Sequence, residues 1–399
     1  MPTSTKPKIR EETALSSSNF LDFLNAKPLF YDEIDYERFP RIYSRIKEHF
    51  PTPKTIHIVG TNGKGTTGRF LAEALRKAGK SVGHYTSPHI LRFNERIWID
   101  GNDIDDIQLQ YYHDKLQDIL TPQESEALSY FEYTTLLAMM SFERCEYAVL
   151  EAGLGGEHDA TAVFEKTVTI VTPIDKDHEA FLGESIEAIT RTKLGAMAKE
   201  LLLASQLHKE VEDIAFVMTK ERGARLYKTA EMLTQEERVF VAEAAKELVL
   251  PYYLEQNLQT AIAALKLLGV GYTMESFQDA RLFGRLTRVL PNVLLDVGHN
   301  PLAAGSIAKA LEGKKVVLVY NSFKDKDYHE ILSRLLPVIK RVEILEVTGQ
   351  RVEEKVRLQK TLKDLKIQYA DFHQIEQNEK YLVFGSFSVA EEFLKRINA

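Results

Sequence analysis

The stretch KTIHIVGTNGKGTTGRFLAEALRKAG, residues 54–79, decides the fold. Residues 54–60 alternate apolar and polar and run into glycine, the pattern of a strand entering a turn. Phe70, Leu71, Ala74, Leu75 and Ala78 then recur at helical spacing, with basic residues in the last turn and Gly79 as a stop. Between strand and helix lie Gly60, Thr61, Asn62, Gly63, Lys64, Gly65, Thr66 and Thr67. Glycines let backbone N–H groups approach phosphate oxygens, the helix N-terminus adds positive dipole, and Lys64 supplies charge for the outer phosphates. Thr66 or Thr67 can place a hydroxyl on Mg²⁺. The generic phosphate-loop spacing is not met, because Gly65 separates Lys64 from the hydroxyl residue and the first glycine is only four positions before the lysine. A plain glycine turn is the competing reading. The strand and helix flanks favour phosphate.

Outward from this unit, strand-like and helix-like segments alternate, which predicts an α/β protein built on mostly parallel sheets. Strands are expected at 147–153 and 167–174, and long helices at 184–204 and 256–268. From about residue 290 the rhythm restarts: LLDV, a helix from Pro301, KKVVLVY, a helix near 328–340, VEILEV, a helix near 353–365, and YLVFGS before a terminal helix. That stretch is long enough for a separate doubly wound unit. The expected division is 1–280 and 281–399, with a short joint near 275–284.

The 399 residues allow two to three domains on a soft prior of ~150 residues each. A formal charge of −7, with 44% apolar and 27% charged residues, fits an ordinary globular protein and argues against a bulk nucleic-acid binder or a basic membrane-surface protein. The single cysteine, Cys145, excludes an intramolecular disulfide framework and a cysteine-only zinc cluster. No run reaches the ~18 apolar residues of a membrane span, and the opening MPTSTKPKIREE lacks a signal peptide's apolar centre. A cytoplasmic location is expected, with neither membrane nor nucleic acid as partner.

Phosphoryl transfer also needs metal ligands at the same sheet edge. Glu151 ends the apolar strand from Tyr147, and Asp175, Asp177 and His178 end another, so a parallel sheet would present them beside the loop. Gly153, Gly155 and Gly156 make a short loop able to lie against a ligand. Solvated strand ends are the alternative for Glu151 and His178, and Mg²⁺ prefers oxygen.

Together these motifs resemble the ATP-dependent Mur-ligase superfamily and, within it, the folylpolyglutamate synthases and bifunctional dihydrofolate synthase/folylpolyglutamate synthases. GTNGKGTT (60–67), with its intervening glycine, is similar to that family's phosphate loop. TSPHILRFNERI (86–97), SYFEYTT (129–135), EAGLGGEHDAT (151–161), DKDH (175–178), TKLGAMAK (192–199), QNLQTA (256–261), FGRL (283–286), LDVGHNP (295–301) and KDKD (324–327) follow in the family's order, and GSFSVAEEF (385–393) is a weaker echo. The resemblance implies a Mur-ligase-like P-loop ATPase domain followed by a smaller Rossmann-like domain.

It also implies roles. Thr61, Asn62, Gly63, Lys64, Gly65 and Thr66 would hold ATP; Ser87, Glu151 and His178 would bind Mg²⁺, with Mn²⁺ as a substitute. Asn257 would face the adenine side, and Arg285 and Asp296 would reach ATP from the linker and second domain, with His299 and Asn300 beside them. Lys193 resembles the family's carbamylated lysine; an exposed helical lysine is the competing reading. Ser129, Tyr130, Phe131 and Glu132 resemble the segment that meets the pterin, although Tyr130 and Phe131 also suit core aromatics. Residues 31–35, Arg92 to Arg96, and His158, Asp159 and Ala160 are further substrate candidates. Ala152, Glu157 and His158 depart from the family's usual valine and basic-apolar pair, which bears on pterin and glutamyl recognition rather than on the nucleotide.

The implied reaction is ATP-dependent amide formation through an acyl phosphate, with dihydropteroate or folate and L-glutamate as substrates, in a protein expected to be a monomer. Lys64, Lys193 and His178 would be its catalytic residues. Tyr130 is the residue that leans the reading toward both activities. A folylpolyglutamate-only enzyme, another Mur-type ligase using UDP-linked substrates, a kinase and a non-catalytic nucleotide switch are the alternatives.

Overall fold

The computed structural model describes residues 19–27 and 35–398; substrate candidates 31–34 lie outside them. Eight strands form the first sheet: β1 (Lys54–Val59), β2 (Val82–Tyr85), β3 (Ile97–Ile99), β4 (Asn102–Asp103), β5 (Tyr147–Glu151), β6 (Val168–Val171), β7 (Glu200–Leu203) and β8 (Arg225–Lys228). Their spatial order is β4-β3-β2-β5-β1-β6-β7-β8, parallel from β2 to β8. The β3–β4 pair turns antiparallel at one edge. The order reverses around β1, so the loop after β1 opens at a topological switch point, where parallel sheets bind ligands.

Both faces of this sheet are covered, which parallel strands require. In β5, Tyr147 and Val149 join a core with Phe70, Leu71 and Leu258 from helices Lys64–Lys77 and Tyr252–Leu268. Ala148 and Leu150 face the other way, into a core with Leu136 and Leu137 of helix Tyr130–Ser141. The alternation of side chains along a strand thus feeds two cores from one five-residue segment.

A second sheet of six strands contains β9 (Thr287–Leu290), β10 (Val293–Leu295), β11 (Val316–Tyr320), β12 (Ile339–Ile344), β13 (Tyr369–Asp371) and β14 (Tyr381–Phe384), ordered β13-β12-β11-β14-β10-β9. All pairs are parallel except β9–β10. The two sheets are joined by more than a linker. Ile90, in the loop after β2, is 3% exposed and packs into the second sheet's core with Val293, Leu295 and Val297.

Three expected elements differ. The helix expected over 184–204 ends at Leu194, and Glu200–Leu203 is a strand. A four-residue apolar run carries no period of its own, and Gly195 ends the helix where a Cβ would meet Glu157 at 2.6 Å. The helix expected near 328–340 stops at Leu335, because Pro337 cannot continue it and Ile339 already begins β12. The β3–β4 hairpin turns on Asp100 and Gly101, both at positive φ, a tight-turn signal present in the sequence.

Candidate active site

The loop after β1 is shaped by backbone proximity. Gly60 has φ +146 and its absent Cβ would lie 2.0 Å from Thr172 Oγ1. Gly63, at φ +91, caps the helix that starts at Lys64, and a Cβ there would lie 2.6 Å from Asn257 Oδ1. Alanine at 63 therefore combines left-handed strain, ~1–2 kcal/mol, with displacement of Asn257. Gly63→Ala should weaken ATP binding about tenfold in titration calorimetry; unchanged affinity would show that the cradle tolerates a side chain.

Lys64 Nζ lies 3.3 Å from both Gly60 O and Thr61 O, and 3.9 Å from Glu151 Oε1. Glu151 is buried at the end of β5; its Oε2 accepts from Thr86 Oγ1 and, at 3.2 Å, from Ser87 N. The Thr66 and Thr67 hydroxyls are buried without a protein partner. A buried carboxylate, adjacent hydroxyls and loop amides suit a hydrated Mg²⁺ that also takes phosphate oxygens. Among the described residues, no three His, Cys, Asp or Glu side chains form a ready-made metal cage. That fits a cation held largely by nucleotide and water. His178 stands at φ 53; burial first, then Lys326, His299 and Lys64, lower it to about 4 against the opposing pull of Asp177, leaving a neutral imidazole at pH 7.

Lys193 is buried rather than exposed. Its Nζ donates to Gly60 O at 2.9 Å, and burial, followed by the charge on Lys64, pulls its pKa to about 7 against Asp177 and Asp159. Thr61 turns its hydroxyl away from the loop's mouth, donating to Asp175 O at 2.9 Å. Asn62 and Asn300 exchange side-chain amide hydrogen bonds at 2.9 Å in each direction, tying the loop to the second sheet.

Asp177 is the other junction. Lys326 Nζ lies 2.7 Å from its Oδ1, and His299 Nε2 and His178 Nε2 lie 3.7 Å and 3.9 Å from its Oδ2. Burial would raise this carboxyl, but His299, His178 and Lys326 outweigh it and hold Asp177 well below the usual range. Asp296 is buried and fully engaged: Oδ2 accepts from Tyr253 Oη at 3.0 Å and Leu286 N at 2.9 Å, and Oδ1 from Gly298 N at 2.8 Å. Arg285 lies over the Phe387 ring at 5.5 Å.

One cavity of about 560 Å³ gathers most of these expected residues: Thr61 to Thr66, Ser87, Glu151, His178, Lys193, Asn257, Arg285 and Asp296 all line it. A second cleft of about 1520 Å³ is lined by Ser129, Phe131, Glu132, His158, Asp159 and Ala160. Tyr130 is not on its wall; the ring lies under Arg96, 5.2 Å from its guanidinium, and beside Phe93. Of the Arg92 to Arg96 loop, Phe93, Asn94 and Arg96 are buried, and none of the five lines the cleft. Glu132 accepts two bonds from Arg38 Nη2, at 2.9 and 2.7 Å, and His158 stacks on Tyr36 with centroids 4.4 Å apart. Arg38, Tyr36, Tyr253 and Lys326 were not singled out from sequence. Only Lys326, inside the quoted KDKD, carried a signal.

The Mur ligase middle domain matches residues 58–201, the span that holds the loop, Glu151, His178 and Lys193. Fold and site together are those of an ATP-dependent ligase of the Mur type. The chain is 32% identical to the dihydrofolate synthase/folylpolyglutamate synthase of Escherichia coli (strain K12), over 80% of this chain and 79% of that one. Helicobacter pylori folylpolyglutamate synthetase superposes with a TM-score of 0.77 at 39% identity, covering 95% of this chain and 97% of the other. E. coli FolC in complex with DHPP and ADP superposes with a TM-score of 0.78 at 27% identity, covering 96% and 98%. The chain belongs to the dihydrofolate synthase/folylpolyglutamate synthase family.

Proposed function

We propose that this chain joins L-glutamate to dihydropteroate and to folates, using ATP to activate the acceptor carboxylate as an acyl phosphate. The observation that carries the reading is a shared wall: Gly153, Leu154, Gly155, Asp177, His178 and His299 line both the phosphate-loop cavity and the large cleft. A carboxylate lying in the cleft can therefore reach a phosphoryl group in the cavity without leaving the protein.

In this scheme the loop amides and Lys64 orient the phosphates and stabilise charge on the transferring group, an electrostatic and positioning task. Ser87, Glu151 and His178 hold Mg²⁺, which when bound neutralises phosphate charge. Asn257, Arg285 and Asp296 shape the nucleotide end. Phe131 offers a flat apolar face to the pterin side, with Ser129, Glu132, His158, Asp159 and Ala160 around it. The α-amine of glutamate attacks the acyl phosphate and inorganic phosphate leaves; a closed interface excludes the water that would compete. Lys193 is carbamylated in the working enzyme. We divide the chain near residue 280 into an ATP- and folate-binding unit and a second, ligase-completing unit, and place it in the cytoplasm as a monomer acting on small molecules. No helix among the described residues is long and apolar enough to cross a membrane.

Incubation with dihydropteroate, L-glutamate, ATP and Mg²⁺ is expected to give dihydrofolate, ADP and phosphate in equal amounts. Elongation of a reduced folate without dihydrofolate synthesis would leave the folylpolyglutamate-only activity, and turnover of UDP-linked acceptors instead would sink the folate reading. With Tyr130 off the cleft wall, the case for both activities rests on the likeness to bifunctional relatives.

A further inference from the structure

Beneath the strip shared by the two cavities, a polar chain runs into the first sheet. His57 lies on β1, wholly buried, on the face opposite Ile56 and Ile58. Its Nε2 is 2.7 Å from Thr161 Oγ1. That hydroxyl is 2.5 Å from Asp159 Oδ1, which also accepts from Thr161 N at 2.9 Å. Asp159 Oδ2 accepts from Leu154 N at 2.8 Å. The chain thus starts three residues before the phosphate loop and ends on the strip's backbone.

Proton counting fixes its direction. A threonine hydroxyl has one hydrogen. Donated to the Asp159 carboxylate, it leaves the oxygen free to accept, so His57 must donate from Nε2. Burial pushes His57 down to about 3, so the ring is neutral and carries that single N–H. The other nitrogen, Nδ1, is buried without a partner. A lone pair there is less costly than an orphaned N–H, which buried sites rarely tolerate.

The strip has no slack. A Cβ on Gly153 would meet Phe131 Cζ at 2.6 Å, and one on Gly156 would meet Lys193 O at 2.4 Å. It is wedged between the ring on the cleft side and the helix that carries Lys193. A shift of the strip changes the distance between the two halves of the reaction.

We propose that His57, Thr161 and Asp159 form a positioning relay that holds the Leu154 amide, and with it the wall between the cavities, in register for acyl transfer. The inference rests on the ligase reading above. His57 and Thr161 act through Asp159 and the strip; neither lines either cavity.

The test separates hydroxyl from methyl at one position. In the full chain, Thr161→Val keeps the shape and loses the relay, while Thr161→Ser keeps the relay. Amide hydrogen exchange across 152–157 should accelerate about tenfold in the valine variant and stay near wild type in the serine variant. With dihydropteroate, glutamate and ATP, kcat should fall about 10- to 100-fold for valine, with KM for ATP within about threefold, and recover for serine. Valine matching wild type in both readouts, or serine as impaired as valine, overturns the relay. Should the valine variant not fold, imidazole ¹⁵N shifts of the wild-type protein decide: an Nε2–H tautomer at His57 supports the relay and an Nδ1–H tautomer overturns it. A wild type that forms no amide would remove the ligase reading, while exchange and tautomer still judge the relay.

Discussion

Lys64→Ala is expected to abolish ADP formation, lowering kcat by at least ~10³-fold, about 4 kcal/mol of transition-state stabilisation. The reasoning is geometric. Lys64 opens helix Lys64–Lys77 and holds its ammonium over the loop's own carbonyls, 3.3 Å from Gly60 O and Thr61 O and within 3.9 Å of Glu151. It is a fixed cation aimed at the place where the metal-side carboxylate and the phosphate cradle meet. Removing it leaves developing phosphoryl charge without its protein counter-charge in a site screened from water, where such a charge is worth most. The fold should survive, because alanine favours a helix start at least as well as lysine. Circular dichroism and melting should therefore stay near wild type while coupled ADP release vanishes. The effect should exceed that of a lost point charge, since Lys64 also helps keep Lys193 deprotonated. Turnover within tenfold of wild type in Lys64→Ala would refute this role.

How much of this was legible depended on how local the information is. The loop, its strand and its helix lie within 26 consecutive residues, and local periodicity with glycine placement sufficed to read them. Glu151 and His178 were legible for a related reason: a parallel sheet brings strand ends to one edge whatever the intervening chain does. What stayed hidden depends on contacts between distant segments. Arg38 meets Glu132 across 94 residues and Lys326 meets Asp177 across 149, and neither pair leaves a period or a spacing. Tyr130 shows the opposite failure. Its place in a recognisable motif pointed to the substrate, yet one residue of helix rotation puts Phe131 on the cleft and Tyr130 against Arg96. Asp296 likewise reads as a ligand contact from its motif, whereas its two oxygens are already committed to Tyr253, Leu286 and Gly298, bracing the second sheet against helix Tyr252–Leu268. Cys145 behaved as composition implied. It is partly buried, and burial raises its thiol to about 12, which makes it a poor nucleophile.

Lys193→Met is expected to lose activity and gain stability, a combination that distinguishes a working lysine from a structural one. Forming a lysine carbamate joins the neutral amine to dissolved CO₂ and releases a proton, so an ordinary lysine near 10.5 reacts poorly at pH 7. Lys193 does not have that handicap: burial, then Lys64, bring it to about 7, with Asp177 and Asp159 pulling the other way. Activity should therefore fall on the acid side with an apparent pKa near 7 and respond to added bicarbonate, and ¹³C-bicarbonate should give a carbamate resonance that Lys193→Met lacks. Loss of the side chain should cost on the order of 10²-fold or more in kcat. The stability argument runs in the other direction. Between pH 7 and 10.5 the unfolded chain binds a proton at this lysine that the folded chain does not, so the penalty on folding is complete below about 7 and disappears as pH rises toward 10.5. Methionine fills similar volume without that penalty, and Gly60 O still has Lys64 at 3.3 Å. In urea unfolding, the variant's advantage should be clear at pH 7 and smaller at pH 9.5. An advantage that does not change with pH would mean that Lys193 keeps its proton in the folded protein, and the carbamate with its proposed role would go with it.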